Sequence, residues 1–416
     1  MAKRTPSFQS SRPSGRRVAV RLRVSAADPK GVEVDAFVPD PLPPRMKTPL
    51  LFIGQVSGAL LEAQNGLARL DVLCESLPNA GVLLRALRKR EVQRSSEIEN
   101  TFASIEEISV LEAGRKVSRE SAAEVLNNLS AVEHALASPL PLCNRLLREA
   151  HAKLLEGVRG DHLRPGEFRD GQVYIGNPSR GGSGVRYVPP PPGEHLRLCL
   201  EAFEKAMNVP AAAREPDGAA EPSGRYPWLV WLGFLHYQFE AVHPFSDGNG
   251  RLGRLLVHVA PCKWGVLRHP ITNVSEFFMA NRRAYYDALL GVSERGDWLA
   301  WTDLFLRAIA RQSVEDQGRV RALVGLREGY VKAVERNRNR ASLGRLIDLV
   351  FEQLVVTNPM VAERLAVSKP TAQKLIEAVV KVGGLAEVTG ETYARMYRAG
   401  EVLGVLDARA EDLSGS

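Results

Sequence analysis

The stretch "HPFSDGNGRLGR" places one imidazole, one carboxylate, an asparagine between two glycines and two guanidinium groups within twelve residues, His243 to Arg254. Successive glycines let backbone N–H groups converge, and a helix N-terminus adds its positive dipole end. Gly248, Asn249 and Gly250 can therefore form an anion nest made of backbone. Arg251 and Arg254 are three apart and share one helical face near the same end, where they can neutralise phosphate oxygens outside the nest. Asp247 is a hard oxygen donor, suited to holding Mg²⁺ through one carboxylate plus phosphates. His243, five residues before the nest, can take a proton from an attacking hydroxyl as a neutral imidazole. Each feature alone is more often structural: a lone histidine packs, and a lone GNG turns the chain. Their order together supplies base, metal ligand, anion nest and counter-charge.

These groups need rigid flanks. Before them lies "PWLVWLGFLHYQFEAV", apolar on most sides and read as a buried helix. After them, Leu255, Leu256 and Val259 form a helical apolar stripe that Pro261 is expected to stop. The segment is thus a short loop between two core helices, with GNG opening the second. Upstream, "ALLEAQNGLARLDVLCESL" and "NAGVLLRALRKREVQRSSEIENTFAS" carry helical periodicity from Ile53 to about Glu112. Two short β-prone runs, Val173 to Ile175 and Val185 to Val188, flank a Gly/Ser/Pro turn and predict a hairpin in a helical block. "VPAAAREPDGAAEPSGRYP" reads as a surface loop.

"HPFSDGNGRLGR" resembles the motif of the Fic (filamentation induced by cAMP) family, HxFx(D/E)GNGRxxR, at all eight defined positions. The resemblance implies a protein adenylyltransferase that moves AMP from ATP to a Ser, Thr or Tyr hydroxyl of a target protein and of itself. In that picture His243 is the general base, Asp247 holds Mg²⁺, and Gly248, Asn249 and Gly250 cradle the phosphates. Arg251 and Arg254 bind the β and γ phosphates, and Phe245 is packed into the core. The related Doc branch, which phosphorylates, has alanine and lysine in place of the two glycines, so Gly248 and Gly250 favour AMP transfer. "GEFRDGQVYIG…RYVPPPP" resembles the family's flap, which clamps a target segment by strand addition, with Val173, Tyr174 and Ile175 on its first run. "NRRAYYDALL" resembles the stretch lining the adenine pocket, with Asn281 and Tyr285 nearest the base. "SSEIEN" matches the inhibitory motif (S/T)xxxE(G/N) through Ser95, Glu99 and Asn100. A carboxylate there would pair with Arg254 and misplace the nucleotide. In some members the inhibitory glutamate instead positions water to remove AMP, so the opposite reaction is a second expectation.

The last block, from Ala341, reads as three helices and a two-stranded wing around Gly390, a winged helix-turn-helix pattern. Ser368 is the expected N-cap of its third helix, with Pro370 in the first turn. Lys369, Thr371, Gln373 and Lys374 could face phosphates or base edges, so a DNA-binding regulator is the alternative from another class. The expected fold is mainly α: a Fic-type helical bundle with a β-hairpin flap plus that module. The expected blocks are a basic, disordered tail over 1–30, an N-terminal helical region with the inhibitory helix over 31–115, a catalytic domain over 116–320, a helical connector over 321–340 and a winged-helix domain over 341–410.

A chain of 416 residues exceeds one ordinary core. Its 44% hydrophobic and 25% charged residues exclude a membrane-spanning or disordered class. No apolar run reaches bilayer length, so no membrane is expected among the partners. Part of the +7 formal charge comes from the first residues, which are rich in Arg and Ser and hold no acid. The four cysteines are scattered singly, which excludes a zinc site or disulfide framework and fits a reducing, cytoplasmic location. The partners expected from the resemblance are ATP, a target protein held by the flap, and a second copy of the chain.

Overall fold

The computed structural model describes residues 13–22, 31–75, 79–117, 120–176, 184–209, 226–389 and 395–408. Along the chain, strands β1 (Gly15–Leu22) and β2 (Val32–Pro39) precede helices α1 (Pro49–Glu75), α2 (Ala80–Ile98), α3 (Ile105–Glu112), α4 (Ser121–Ala137) and α5 (Asn144–Leu155). Strands β3 (Ile175–Gly176) and β4 (Val185–Tyr187) follow, then α6 (Glu194–Met207), α7 (Trp228–Val242), α8 (Asn249–Lys263), α9 (Ser275–Ala280) and α10 (Arg282–Arg295). The chain continues through α11 (Trp298–Val334), α12 (Arg340–Gln353), β5 (Val355–Thr357), α13 (Asn358–Leu365), α14 (Lys369–Lys381), β6 (Ala386–Glu387), β7 (Met396–Arg398) and α15 (Gly400–Asp407). The fold is mainly helical, as expected. No described helix is long and apolar enough to cross a membrane.

The chain forms two compact units, Met1–Asn65 with Ser130–Arg311 and Gly66–Leu129 with Gln312–Ser416. The linear blocks expected from the sequence are therefore interleaved. The expected boundary at residue 320 falls inside α11, which runs unbroken from Trp298 to Val334.

In the first unit α7 is the central element, buried along almost its whole length. Its apolar residues face every direction, so only an interior position satisfies them. It packs against α6, α8, α10 and β2. The N-terminal tail departs from expectation. Residues 15–22 form β1, paired antiparallel with β2 over its full length, with Val18, Val20 and Leu22 on one face and Arg17, Ala19 and Arg21 on the other. Leu22, Ala36 and Val188 form a small core to which Val20, Val34, Tyr174 and Val185 add. Pro261 also departs: α8 continues through it to Lys263. Proline cannot donate to the carbonyl of Val257 four residues back, and the Thr272 hydroxyl donates to it instead at 2.8 Å.

In the second unit α2 packs on α3, α12 and α15. Lys89, fully buried, pairs with Glu112 at 2.7 Å and donates to the Gln353 carbonyl at 3.0 Å. Arg85 also pairs with Glu112 and donates to the Glu352 carbonyl at 3.3 Å, and Arg90 donates to the Leu406 carbonyl. Burial pushes the Glu112 carboxyl up, but Lys89 and Arg85 outweigh it and hold the group below the ordinary carboxylate range. After α12, strands β5, β7 and β6 form a three-stranded antiparallel sheet in that order. Ser368 caps α14 by accepting from the Thr371 N–H, with a proline in the first turn, as expected. Gln373 is tied to Asn358 and Tyr397 at 3.1 Å each. The wing turn around Gly390 and most of the loop 209–227 lie outside the described residues.

Candidate active site

The motif joins the C-terminus of α7 to the N-terminus of α8. His243 caps α7 in the left-handed region, φ 48° and ψ 61°, with its N–H on the Phe239 carbonyl at 2.9 Å. A non-glycine residue there costs about 1–2 kcal/mol, so the surroundings must impose the turn. Arg169 does so: its Nε donates to the His243 carbonyl at 2.8 Å and its own backbone N–H donates to the Pro244 carbonyl at 3.0 Å. No motif pointed to Arg169. Its only signal was a cation between an aromatic and a turn at the foot of a hairpin.

The loop is pinned from three further sides. Phe245 is fully buried, stacked on His151 with centroids 3.8 Å apart and packed on Phe168 at 5.2 Å. The Asn249 amide bonds back to Phe245, Oδ1 accepting its N–H at 2.9 Å and Nδ2 donating to its carbonyl at 2.8 Å. Its side chain closes the loop, which leaves its backbone N–H for the nest expected from the sequence. Asp247 Oδ1 accepts the Gly248 N–H at 2.6 Å. His151 Nε2 meets the Asp247 carbonyl at 3.0 Å, and its Nδ1 accepts the Gly166 N–H at 2.8 Å. These partners demand a neutral ring protonated on Nε2. Burial agrees, pushing its pKa down to about 4. A histidine on the apolar stripe of α5 was the missed signal.

Gly248 is the N-cap of α8 at φ 76°. A Cβ there would meet Leu154 at 3.0 Å and the His151 ring at 3.6 Å, so backbone conformation and space both select glycine. Arg251 and Arg254, 1% and 2% exposed, lie in the first turns of α8. Arg251 Nη2 is 3.8 Å from Asp247 Oδ1. Two buried guanidinium groups thus lie on the first turns of a helix whose N-terminal N–H groups favour an anion.

Tyr285 was expected beside a base. The structure instead places it in the core, 1% exposed, stacked on Phe278 at 4.2 Å. Its hydroxyl donates to His236 Nε2 at 2.9 Å, and His236 Nδ1 donates to the Gly253 carbonyl at 3.1 Å. Burial and then the Arg254 charge push the His236 pKa down to about 3. Tyr285 therefore braces α8 beside Arg254. Asn281 is exposed at the α9–α10 junction, its amide on the Phe277 carbonyl at 2.9 Å.

The first strand of the expected hairpin starts later than the sequence suggests. Ile175 lies in β3, whereas Val173 and Tyr174 precede the strand. Residues 177–183 lie outside the described residues.

Ser95, Glu99 and Asn100 belong to the second unit. Ser95 is buried in α2. Glu99 is the C-cap of that helix and Asn100 follows at φ 61°. The Asn100 N–H donates to Glu97 and the Thr101 N–H to Ser96, both at 3.0 Å. That is a Schellman closure, which requires a left-handed residue at the Asn100 position and explains why only Gly or Asn suits it.

A family model described as Fic/DOC family N-terminal matches residues 58–137, and one described as Fic/DOC family matches residues 141–260. The chain is similar to the protein adenylyltransferase Fic of Drosophila melanogaster, 29% identical over 198 residues that are 45% of this chain and 36% of that protein. It is also similar to the protein of that name from Culex quinquefasciatus, 28% identical over 249 residues, 56% of this chain and 44% of that one. The matched part of the chain spans less than half the length of these relatives. A crystal structure of a Fic family protein from Desulfovibrio desulfuricans G20 shares the fold, with a TM-score of 0.51 at 20% identity over 83% of this chain and 95% of that one.

Proposed function

We propose that the chain, whose residues 58–137 and 141–260 match Fic/DOC family models, is a Fic-type protein adenylyltransferase held in check by Glu99. The observation that carries this reading is the pinned loop: a histidine in an imposed left-handed turn, followed by a helix N-terminus with two buried arginines. His243 takes the proton of a target hydroxyl as its oxygen attacks the α-phosphorus of ATP. The bond to the β-phosphate breaks, and pyrophosphate leaves against Arg251 and Arg254.

Among the described residues no cluster of three acidic, His or Cys side chains could hold a metal by itself. One half-exposed carboxylate at the mouth of the nest, Asp247, fits Mg²⁺ brought in with the nucleotide phosphates. The ion would neutralise phosphate charge there.

The braking role of Glu99 rests on the resemblance of Ser95, Glu99 and Asn100 to the inhibitory motif. The order of α12, β5, α13, α14, β6 and β7 fits a winged helix. The test is incubation of the full chain with ATP labelled at the α-phosphate. Glu99→Gly should raise self-labelling strongly, and His243→Ala in that background should lower it by about 10²–10⁴-fold. Equal labelling by wild type and Glu99→Gly removes the brake from the proposal. Undiminished labelling in the His243→Ala double variant removes the base.

A further inference from the structure

Four backbone carbonyls converge on one buried guanidinium. Arg169, 3% exposed, donates Nε to His243 at 2.8 Å, Nη2 to Pro190 at 2.6 Å and to Val242 at 3.4 Å, and Nη1 to Gly171 at 3.2 Å. Gly171 stands before β3 and Pro190 after β4, so the fork grips both feet of the flap. Val242 and His243 are the end of α7 and its left-handed cap. Gln172 closes the same base, its Nε2 donating to the Pro189 carbonyl at 3.0 Å. All side-chain partners of Arg169 among the described residues are carbonyl oxygens, with no carboxylate in the set.

That arrangement is costly for ordinary packing. A buried cation without a counter-ion is disfavoured, and burial pushes the Arg169 pKa down to about 10. Only a planar fork with donors in several directions can satisfy oxygens from two separate elements at once. A lysine offers three donors from one point and cannot span them.

We infer that Arg169 is a positioning residue that makes the flap and His243 one rigid body, so that a target strand laid on the flap brings its hydroxyl to the base at a fixed distance. This rests on reading His243 as the base and the β3–β4 hairpin as the target clamp. The nucleotide side of the site is braced separately, through His151, Asn249 and the His236–Tyr285 pair. Loss of the fork should therefore misplace the hydroxyl and leave the phosphates seated.

The experiment uses the full chain carrying Glu99→Gly, with and without Arg169→Lys. The self-labelling rate at saturating ATP should fall about 100-fold, the effect of roughly 1 Å of misplacement, while the KM for ATP changes less than about twofold. Backbone amide exchange, followed by mass spectrometry on the same proteins, should quicken together in residues 171–176, 184–190 and 239–243. Residues 247–263 should stay unchanged. Faster exchange in the flap alone, in the 239–243 segment alone, or throughout the first unit would overturn the coupling, as would a matching rise in the KM for ATP. If the Glu99→Gly parent transfers no AMP, the transferase reading falls, and the exchange pattern still decides the coupling. Should Arg169→Lys fail to fold, native-state exchange in the unsubstituted protein decides it. The flap feet and residues 239–243 must then share one opening free energy, and two distinct values overturn the inference.

Discussion

In the first unit, the loop from His243 to Asn249 is held mostly by side chains bonded to backbone, several of them neutral: the Asn249 amide, the uncharged His151 ring and the Phe245 stack. In the second unit, α2 is held by charge. Lys89 and Arg85 share Glu112, and Lys89, Arg85 and Arg90 each reach a backbone carbonyl. The first device fixes a loop through directional hydrogen bonds and ring stacking. The second holds a helix by a buried ionic knot, a kind of contact worth little beyond an apolar replacement when intact and expensive when half removed.

The sharpest way to break this contrast is Glu112→Gln. It leaves Lys89 and Arg85 without their carboxylate, and a loss of about 3–5 kcal/mol is expected. Denaturant unfolding followed by exchange of α2 amides measures it. A loss below about 1 kcal/mol would mean that water already screens the cluster.

The next test is pH. The His151 pKa in the fold, about 4, lies below its ordinary value of 6.5. Its contribution is therefore complete above 6.5 and is lost as pH falls toward 4, amounting to about 3 kcal/mol. Glu112 is also depressed, from 4.5, so its contribution persists above 4.5 and is lost only at lower pH. Between pH 6.5 and 4.5 the loop from His243 to Asn249 should loosen while α2 does not. Amide exchange of residues 243–249 and 85–98 at pH 7 and 5 reads this directly, and His151→Gln should flatten the first response.

The smallest effect concerns the end of α2. Asn100→Val forces a β-branched residue into the left-handed position and should cost about 1–2 kcal/mol, whereas Asn100→Gly should change stability by only a few tenths. Equal thermal midpoints for the two variants would show that the Schellman closure does not set the end of the helix.

Much of the site was legible because its residues are contiguous. His243, the glycines and the two arginines lie within one turn and one helix, and local spacing fixes their geometry. What supports them was not legible, because the partners are distant in sequence: His151 is 96 residues from Asp247, and Arg169 is 74 from His243. Tyr285 was misplaced for a related reason. Local pattern cannot say whether an aromatic on a helix faces a cavity or a buried histidine 49 residues away. The strand at residues 15–22 carried its alternation openly, but the basic composition of the tail argued for disorder. The interleaving of the two units has no local signature, since it depends on which buried cation meets which distant carbonyl.

The contacts of α2 also set an order of assembly during synthesis. Lys89 finds its acceptor at Gln353, 264 residues later, and Arg90 finds its own at Leu406, 316 residues later. At ribosomal speeds of about 5–20 residues per second, Lys89, paired early with Glu112, waits roughly 15–50 s for that carbonyl. The whole segment from His243 to Arg254 has left the ribosome by then, so the helix that ends at Glu99 is among the last parts of a nascent chain to be seated.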